Sequence, residues 1–300
     1  MSTLPKLIVI LGPTASGKTD LSLKLAKKFK GEIVNADSRQ IYRGMNIGTG
    51  KVVDKNGVKH YLLDIVNPDE EFTLADYKKQ AVVAIRDILK RGKVPLLVGG
   101  TGLYIQAIVD NLEIPAVPPN KKLRAQFEKE IKKSGALVKW YKKLLKLDPG
   151  AAKVVDAKNP RRIIRALEVC LATGKPFSKL REKGEPLFDV LQIGINLPRQ
   201  KLYENIDQRV EQMIKDDLVG ETKKLLKKYK SDLPSMSGIG YREVGDYLNG
   251  VYGISEAAQR IKFRTHAYAR RQMTWFRRDK RIKWIKNYKE AENKIKKWLK

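Results

Sequence analysis

Gly12-Pro13-Thr14-Ala15-Ser16-Gly17-Lys18-Thr19 is the run with the most chemical content. It meets the pattern G-x-x-x-x-G-K-[ST] at every fixed position. Glycines let the backbone turn until successive N–H groups face one anion, and a helix N-terminus adds its dipole. Lys18 supplies a mobile positive charge, and the Thr19 hydroxyl can hold Mg²⁺. The chemistry is polyphosphate binding, and the pattern leaves open which polyphosphate and what becomes of it. Two more runs carry reactive groups, Asp37-Ser38-Arg39-Gln40 and Gly99-Gly100-Thr101-Gly102. Asp37 could hold Mg²⁺ through water, act as a general base, or cap the segment after it. Thr101 could reach a ligand from its glycine-rich turn, or it could be a plain turn residue.

The elements that must position these groups alternate. Leu7–Leu11 is an apolar run of strand length before the phosphate loop, and residues 20–29 read as the helix after it. Residues 32–36, 61–66 and 94–98 have strand character. Thr73 and Asp76 form a capping box, and a helix with apolar spacing follows until Gly92. Such alternation predicts a parallel sheet with helices on both faces, and ligands bind at the carboxyl ends of its strands. All three reactive runs follow strands. An NTPase of this class also needs a strand ending in a magnesium-binding Asp. The 94–98 strand ends in glycines instead, and Leu62-Leu63-Asp64 is the only rival.

Beyond Ile108 the composition changes. Ile114-Pro115-Ala116-Val117-Pro118-Pro119-Asn120 reads as a linker. Residues 121–183 are basic and helical, and strand character resumes over 190–196. The expectation is a P-loop NTPase-like α/β core over 1–115 and 186–300, with an inserted all-helical subdomain at 116–185. Helices are expected over 200–218, 220–229, 240–249 and 254–279, followed by a lysine-rich helical tail.

The net charge of +29 over 300 residues is uneven. Residues 121–183 and 260–300 each carry +13, whereas residues 184–259 carry −2. A basic stripe of this size is the electrostatic footprint of a nucleic-acid partner, although solvated lysine-rich helix faces would also give a high count. One cysteine and two histidines leave no disulfide framework and no Cys/His metal cluster. The strand close behind Met1 leaves no room for a signal peptide, and no apolar run approaches about 18 residues. A soluble cytoplasmic protein, monomeric, is expected.

The phosphate loop, the run Asp37–Thr49 and the run Gly99–Tyr104 together closely resemble the tRNA dimethylallyltransferase (tRNA isopentenyltransferase) family. The resemblance continues through Asn159–Val169, Gly174-Lys175-Pro176, Ser237–Arg242 and Ala269–Arg277, and so covers nearly the whole chain in order. It implies transfer of the dimethylallyl group of dimethylallyl diphosphate to N6 of the tRNA adenosine 3′ of the anticodon. On that reading Gly12, Pro13, Thr14, Ala15, Ser16, Gly17, Lys18, Thr19 and Arg209 bind the diphosphate, with Mg²⁺ on Thr19. Asp37 and Thr101 meet the adenine amine, and the base is flipped out to reach them. Further tRNA contacts are implied at Ser38, Arg39, Gln40, Arg124, Arg161, Arg162, Ile163, Ile164 and Arg165. The run Ser237, Gly238, Ile239, Gly240, Tyr241 and Arg242 completes that set. The chain departs from the family at Thr265-His266-Ala267-Tyr268-Ala269, where Arg-Gln is usual in place of His266-Ala267. Its single cysteine leaves no C-terminal zinc finger of the kind found in some eukaryotic members. A P-loop small-molecule kinase, an isopentenyltransferase acting on free adenine nucleotide and a non-catalytic RNA-binding protein are the alternatives.

Overall fold

A computed structural model describes residues 4–52, 54–115, 117–179 and 183–300. Ala116, the first residue assigned to the insertion from sequence, lies outside them. The chain groups into two compact units, one of residues 4–109 with 186–300 and one of residues 110–185.

The first unit is built on a parallel sheet of β1 (Lys6–Leu11), β2 (Gly31–Asn35), β3 (His60–Tyr61), β4 (Val94–Gly99), β5 (Asp189–Ile195) and β6 (Lys283–Ile285). Their spatial order is β3-β2-β4-β1-β5-β6. β1 is apolar on both faces because both are covered. Leu7, Val9 and Leu11 pack under α2 (Leu74–Lys90) and α3 (Gly102–Val109). Ile8 and Ile10 pack on the other face, under α1 (Lys18–Lys28) and a C-terminal helix over Tyr288–Leu299. The capping box is formed, with the Asp76 N–H donating to Thr73 Oγ1 at 3.2 Å. Register aligns the reactive ends: Leu11 pairs with Gly99, and Asn35 with Val98. The three runs singled out from sequence therefore leave the sheet side by side.

Three expectations need correction. The strand expected over 61–66 ends at Tyr61, because Leu62 (φ 62°) and Asp64 (φ 55°) turn left-handed. Asn35 Nδ2 holds the Leu62 carbonyl at 3.0 Å in that turn. The helix expected over 200–218 stops at Lys215, and Asp217 (φ 69°) caps a new one. The tail expected to be wholly helical begins as a strand, β6, with Ile285 buried against the sheet.

The second unit holds α4 (Lys121–Glu130), α5 (Ala136–Leu147) and α6 (Pro160–Thr173). Asn120 and Asn159 cap α4 and α6, and Gly174 (φ 66°) ends α6 in the left-handed region. The core is Phe127, Trp140, Leu144, Ile163, Ile164 and Leu167, with the Phe127 and Trp140 rings edge-on at 5.1 Å. In the first unit the chain continues as α7 (Arg199–Lys215), α8 (Leu218–Leu226), α9 (Tyr241–Leu248), α10 (Ile254–Phe276) and α11 (Tyr288–Leu299). α7 to α10 enclose a third core with Ile41, Tyr42 and Met45.

Candidate active site

The phosphate loop reaches its shape through Gly12 (φ 157°), Ala15 (φ 60°) and Gly17 (φ 82°), and α1 begins at Lys18. Lys18 Nζ donates to the Pro13 carbonyl at 2.6 Å. Burial pushes the Lys18 ammonium down to about 8; Asp37 opposes this, and Arg209 adds to it. Arg209, from α7, donates to the Thr49 carbonyl at 3.2 Å. A Cβ at Gly50 would collide with Arg209 Nη2, so only glycine leaves room for this guanidinium. Burial lowers Arg209 as well, again against Asp37. Two half-buried cations thus face one carboxylate. Such an excess of partly desolvated positive charge is costly until an anion enters. Ser16 Oγ, on a residue 6% exposed, has no hydrogen-bond partner among the described residues and adds a further polar group to the loop.

The loop after β2 is knitted by side chains. Asn35 Oδ1 accepts the Asp37 N–H, and Asn35 Nδ2 donates to the Asp37 carbonyl. Asp37 Oδ1 accepts the Arg39 N–H at 2.9 Å. Thr101 Oγ1 accepts the Ser38 N–H at 3.0 Å, and the Thr101 N–H donates to the Ala36 carbonyl at 3.1 Å. Asp37 and Thr101 are therefore fixed to one another through this short network.

Two cavities meet at this point. A narrow one of about 80 Å³ is lined by Lys18, Thr19, Asn35 and Gln40. A wider one of about 370 Å³ has an aliphatic wall of Ile206, Val210, Met213, Ile239 and Ile261, with Arg39, Thr265 and Arg271 also lining it. Thr14, Asp37, Thr49, Arg209 and Tyr268 line both. Asp37 thus stands where a narrow charged pocket opens into a wider one with an aliphatic wall. Burial raises the Tyr268 phenol, so it stays a neutral hydrogen-bonding group at that junction.

Other residues singled out from sequence have different surroundings. Arg39 donates to the carbonyls of Pro234 (2.7 Å) and Ser235 (3.2 Å), and Gln40 to those of Thr49 and Gly50 (both 3.2 Å). These two side chains brace the walls of the site. Ser237, Gly238, Ile239 and Tyr241 line the wide cavity, while Gly240 (φ 99°) leads into α9 and Arg242 is exposed. Asp64, the rival for a magnesium aspartate, pairs with Lys51 Nζ at 2.5 Å. In the second unit Arg161 and Arg162 are exposed at the start of α6. Ile163 and Ile164 are 0% and 6% exposed, so their side chains are core and not contact surface. Arg124 makes a two-pronged pair with Glu168, at 2.7 and 2.9 Å. Arg165 bonds the Val117 carbonyl at 2.8 Å and reaches Glu168 at 3.4 Å. Burial pushes the Glu168 carboxyl up, but Arg124, the Asn120 N–H and Arg165 outweigh it and hold the carboxyl below its usual range.

Sequence reasoning passed over three groups. Glu221 accepts the N–H groups of Asn46, Ile47 and Gly48 and the Tyr241 hydroxyl, fixing the loop that ends at Thr49. Lys51 ties Tyr42, Asn46 and Asp64 together. Gln272 bonds both the phosphate loop and the glycine turn. Only Gln272 had a signal, its place in the Ala269–Arg277 run. His266, the departure noted from sequence, stacks on Tyr203 with ring centroids 4.0 Å apart and meets Asp207 at 2.9 Å. It packs α10 against α7.

The sequence profile of the IPP transferase family matches residues 40–279, and that of the isopentenyl transferase family matches residues 5–65. The tRNA dimethylallyltransferase of Roseiflexus sp. (strain RS-1) is 50% identical over 275 residues, which is 91% of this chain and 90% of the relative. That of Pelotomaculum thermopropionicum is 43% identical, over 95% of this chain and 93% of the relative. The crystal structure of the full-length tRNA isopentenylpyrophosphate transferase from Bacillus halodurans superposes with a TM-score of 0.72 at 37% identity, covering 98% of this chain and 95% of that one. A eukaryotic dimethylallyltransferase acting on tRNA superposes with a TM-score of 0.75 at 29% identity, covering 90% of this chain and 69% of that one.

Proposed function

The chain belongs to the tRNA dimethylallyltransferase (IPP transferase) family, and we propose that it moves a dimethylallyl group from dimethylallyl diphosphate to N6 of the tRNA adenosine 3′ of the anticodon. One observation carries this reading: Asp37 and Arg209 sit where the charged cavity of Lys18 and Thr19 opens into a wider one with an aliphatic wall. A donor with a multiply charged head and a branched hydrocarbon fits that combination.

In the transfer, the bond between C1 of the allyl group and the diphosphate oxygen breaks, and a bond from C1 to N6 forms. Negative charge grows on the leaving diphosphate. Lys18 and Arg209 stabilise it in a site whose low dielectric strengthens both interactions. N6 loses one proton. Asp37, backed by the Asn35 and Arg39 hydrogen bonds, accepts it or the hydrogen bond that precedes its loss. Thr101, held by Ser38, orients the amine. Thr19 lines the same cavity as Lys18 and Asp37. A single hydroxyl beside a carboxylate and an incoming diphosphate is the sparse protein donor set that Mg²⁺ takes, so these residues fit the metal. Bound with the diphosphate, Mg²⁺ would neutralise charge on the leaving group. Arg161 and Arg162 would meet tRNA phosphates, which set register without reading sequence. No described helix is long and apolar enough to cross a membrane; a cytoplasmic monomer is part of the proposal.

The test is incubation with labelled dimethylallyl diphosphate, Mg²⁺ and, in turn, unmodified tRNA, AMP and ATP. Label entering tRNA alone is the expected outcome. Label in AMP, or loss of the ATP γ-phosphate without a tRNA product, would overturn the reading.

A further inference from the structure

Gln272 lies on α10, 6% exposed, far in sequence from both loops it touches. Its Oε1 accepts the Thr14 N–H at 2.9 Å, and its Nε2 donates to the Gly100 carbonyl at 2.8 Å. The partners fix the amide orientation, since an N–H requires the oxygen and a carbonyl requires the nitrogen. Thr14 belongs to the loop that holds the diphosphate. Gly100 precedes Thr101, which with Ser38 and Asp37 forms the acceptor side of the site. The fit is close on all sides. A Cβ on Gly100 would collide with Gln272 Nε2, and one on Gly102 with Trp275, one turn along the same helix face. Gln272 also lines the narrow cavity beside Lys18, Asp37 and Tyr268.

We propose that Gln272 is a positioning residue that sets the distance between the two reactants by fastening the diphosphate loop and the Thr101 turn to one buried amide. The proposal rests on the transfer reaction set out above. It follows from what each neighbour does. The donor's C1 is placed by the loop, and the acceptor's N6 by Asp37 and Thr101. The gap between them is therefore set by whatever ties those two supports together. Across this gap Gln272 supplies one donor and one acceptor on a single rigid plane. Glutamate keeps the acceptor and loses the donor, and leucine loses both at nearly constant volume. Misplacing reacting atoms by about 1 Å can cost on the order of 100-fold in rate with binding intact.

The experiment compares the unsubstituted protein with Gln272→Leu and Gln272→Glu. It measures the single-turnover rate of transfer to tRNA at saturating substrates, the affinities for inorganic diphosphate with Mg²⁺ and for tRNA, and the melting temperature. For Gln272→Leu the expected result is a rate loss of about 100-fold with both affinities within about threefold of the unsubstituted protein. Gln272→Glu keeps the Thr14 bond but puts a carboxylate in the lining of the diphosphate cavity, so its diphosphate affinity should fall below that of Gln272→Leu while its rate at saturation stays low. A residue that served stability alone would lower the melting temperature and leave the rate at saturation unchanged. That result would overturn the proposal, as would equal rates in all three proteins. Should Gln272→Leu fail to fold, Gln272→Glu decides by the same rate comparison. If the unsubstituted protein transfers nothing to tRNA, the reaction assignment itself falls, and the proposal with it; transfer at an unaltered rate in the variants sinks the proposal alone.

Discussion

Two sets of cations in this molecule have opposite surroundings. Lys18 and Arg209 are half-buried, depressed by desolvation and faced by one carboxylate, Asp37. In the helical unit, Arg124 and Arg165 converge on the buried Glu168, while Arg161 and Arg162 are exposed to solvent. The first pair has an electrostatic deficit that a bound anion relieves. Of the second set, Arg124 ties α4 to α6, Arg165 ties α6 to the segment before α4, and Arg161 and Arg162 are exposed. The contrast teaches that the surroundings of a cation, and not the +13 net charge of residues 121–183, show whether it is engaged within the fold.

The sharpest break in this comparison would come from Asp37. Asp37→Ala should lower the transfer rate by about 10³-fold while tRNA affinity changes little, as for a group acting in the transition state. Equal losses of rate and tRNA affinity would make Asp37 structural. Arg209→Ala or Lys18→Ala should weaken diphosphate binding by about 10- to 100-fold, the loss of a hydrogen bond to a charged group; titration calorimetry with inorganic diphosphate measures it.

The same pair gives a pH signature. The folded Lys18 ammonium titrates near 8, below its unfolded value of 10.5. Between these values the unfolded chain binds more protons, so this group makes the free protein more stable as pH rises through that window. Diphosphate needs the charged form, and its affinity should fall by up to about tenfold per unit above pH 8. An affinity flat from pH 7 to 9.5 would remove Lys18 from the cradle.

The helical unit should respond differently. Arg124→Ala leaves Glu168 buried with weaker compensation and should cost about 2 kcal/mol of stability, read by denaturant unfolding. Its effect on tRNA affinity should be secondary to that loss. Arg161→Ala with Arg162→Ala should leave stability unchanged and weaken tRNA binding several-fold. The slope of log affinity against log salt should become shallower by roughly 0.7 to 0.9 for each phosphate no longer neutralised. An unchanged salt slope would place the RNA-binding surface elsewhere.

The catalytic loops were legible because their signals are local. A glycine pattern between a strand and a helix states its own geometry, and the unbroken apolar run of β1 states that both its faces are covered. The capping box at Thr73 is of the same kind. Where reading failed, the deciding partner was remote. Residues 61–66 look like a strand until Asn35 holds the Leu62 carbonyl and Lys51 holds Asp64. Ile163 and Ile164 belong to a run that resembles an RNA-contacting segment, yet the periodicity of α6 turns them into the core. Arg39 and Gln40 also reach backbone carbonyls of other loops, bonds that no local pattern announces.

By itself the sequence determined the chemistry present: a phosphate cradle, a carboxylate and a hydroxyl at strand ends, and an excess of positive charge. These follow from residue type and from spacings of a few residues, which backbone geometry turns directly into structure. Only the tertiary structure decided which of those groups meet. It brought Arg209 over the Thr49 turn, opened the charged cavity into one with an aliphatic wall at Asp37, and put Gln272 between Thr14 and Gly100. Hydrogen bonds and burial act over a few ångströms in space, whereas these partners stand 160 to 258 residues apart along the chain.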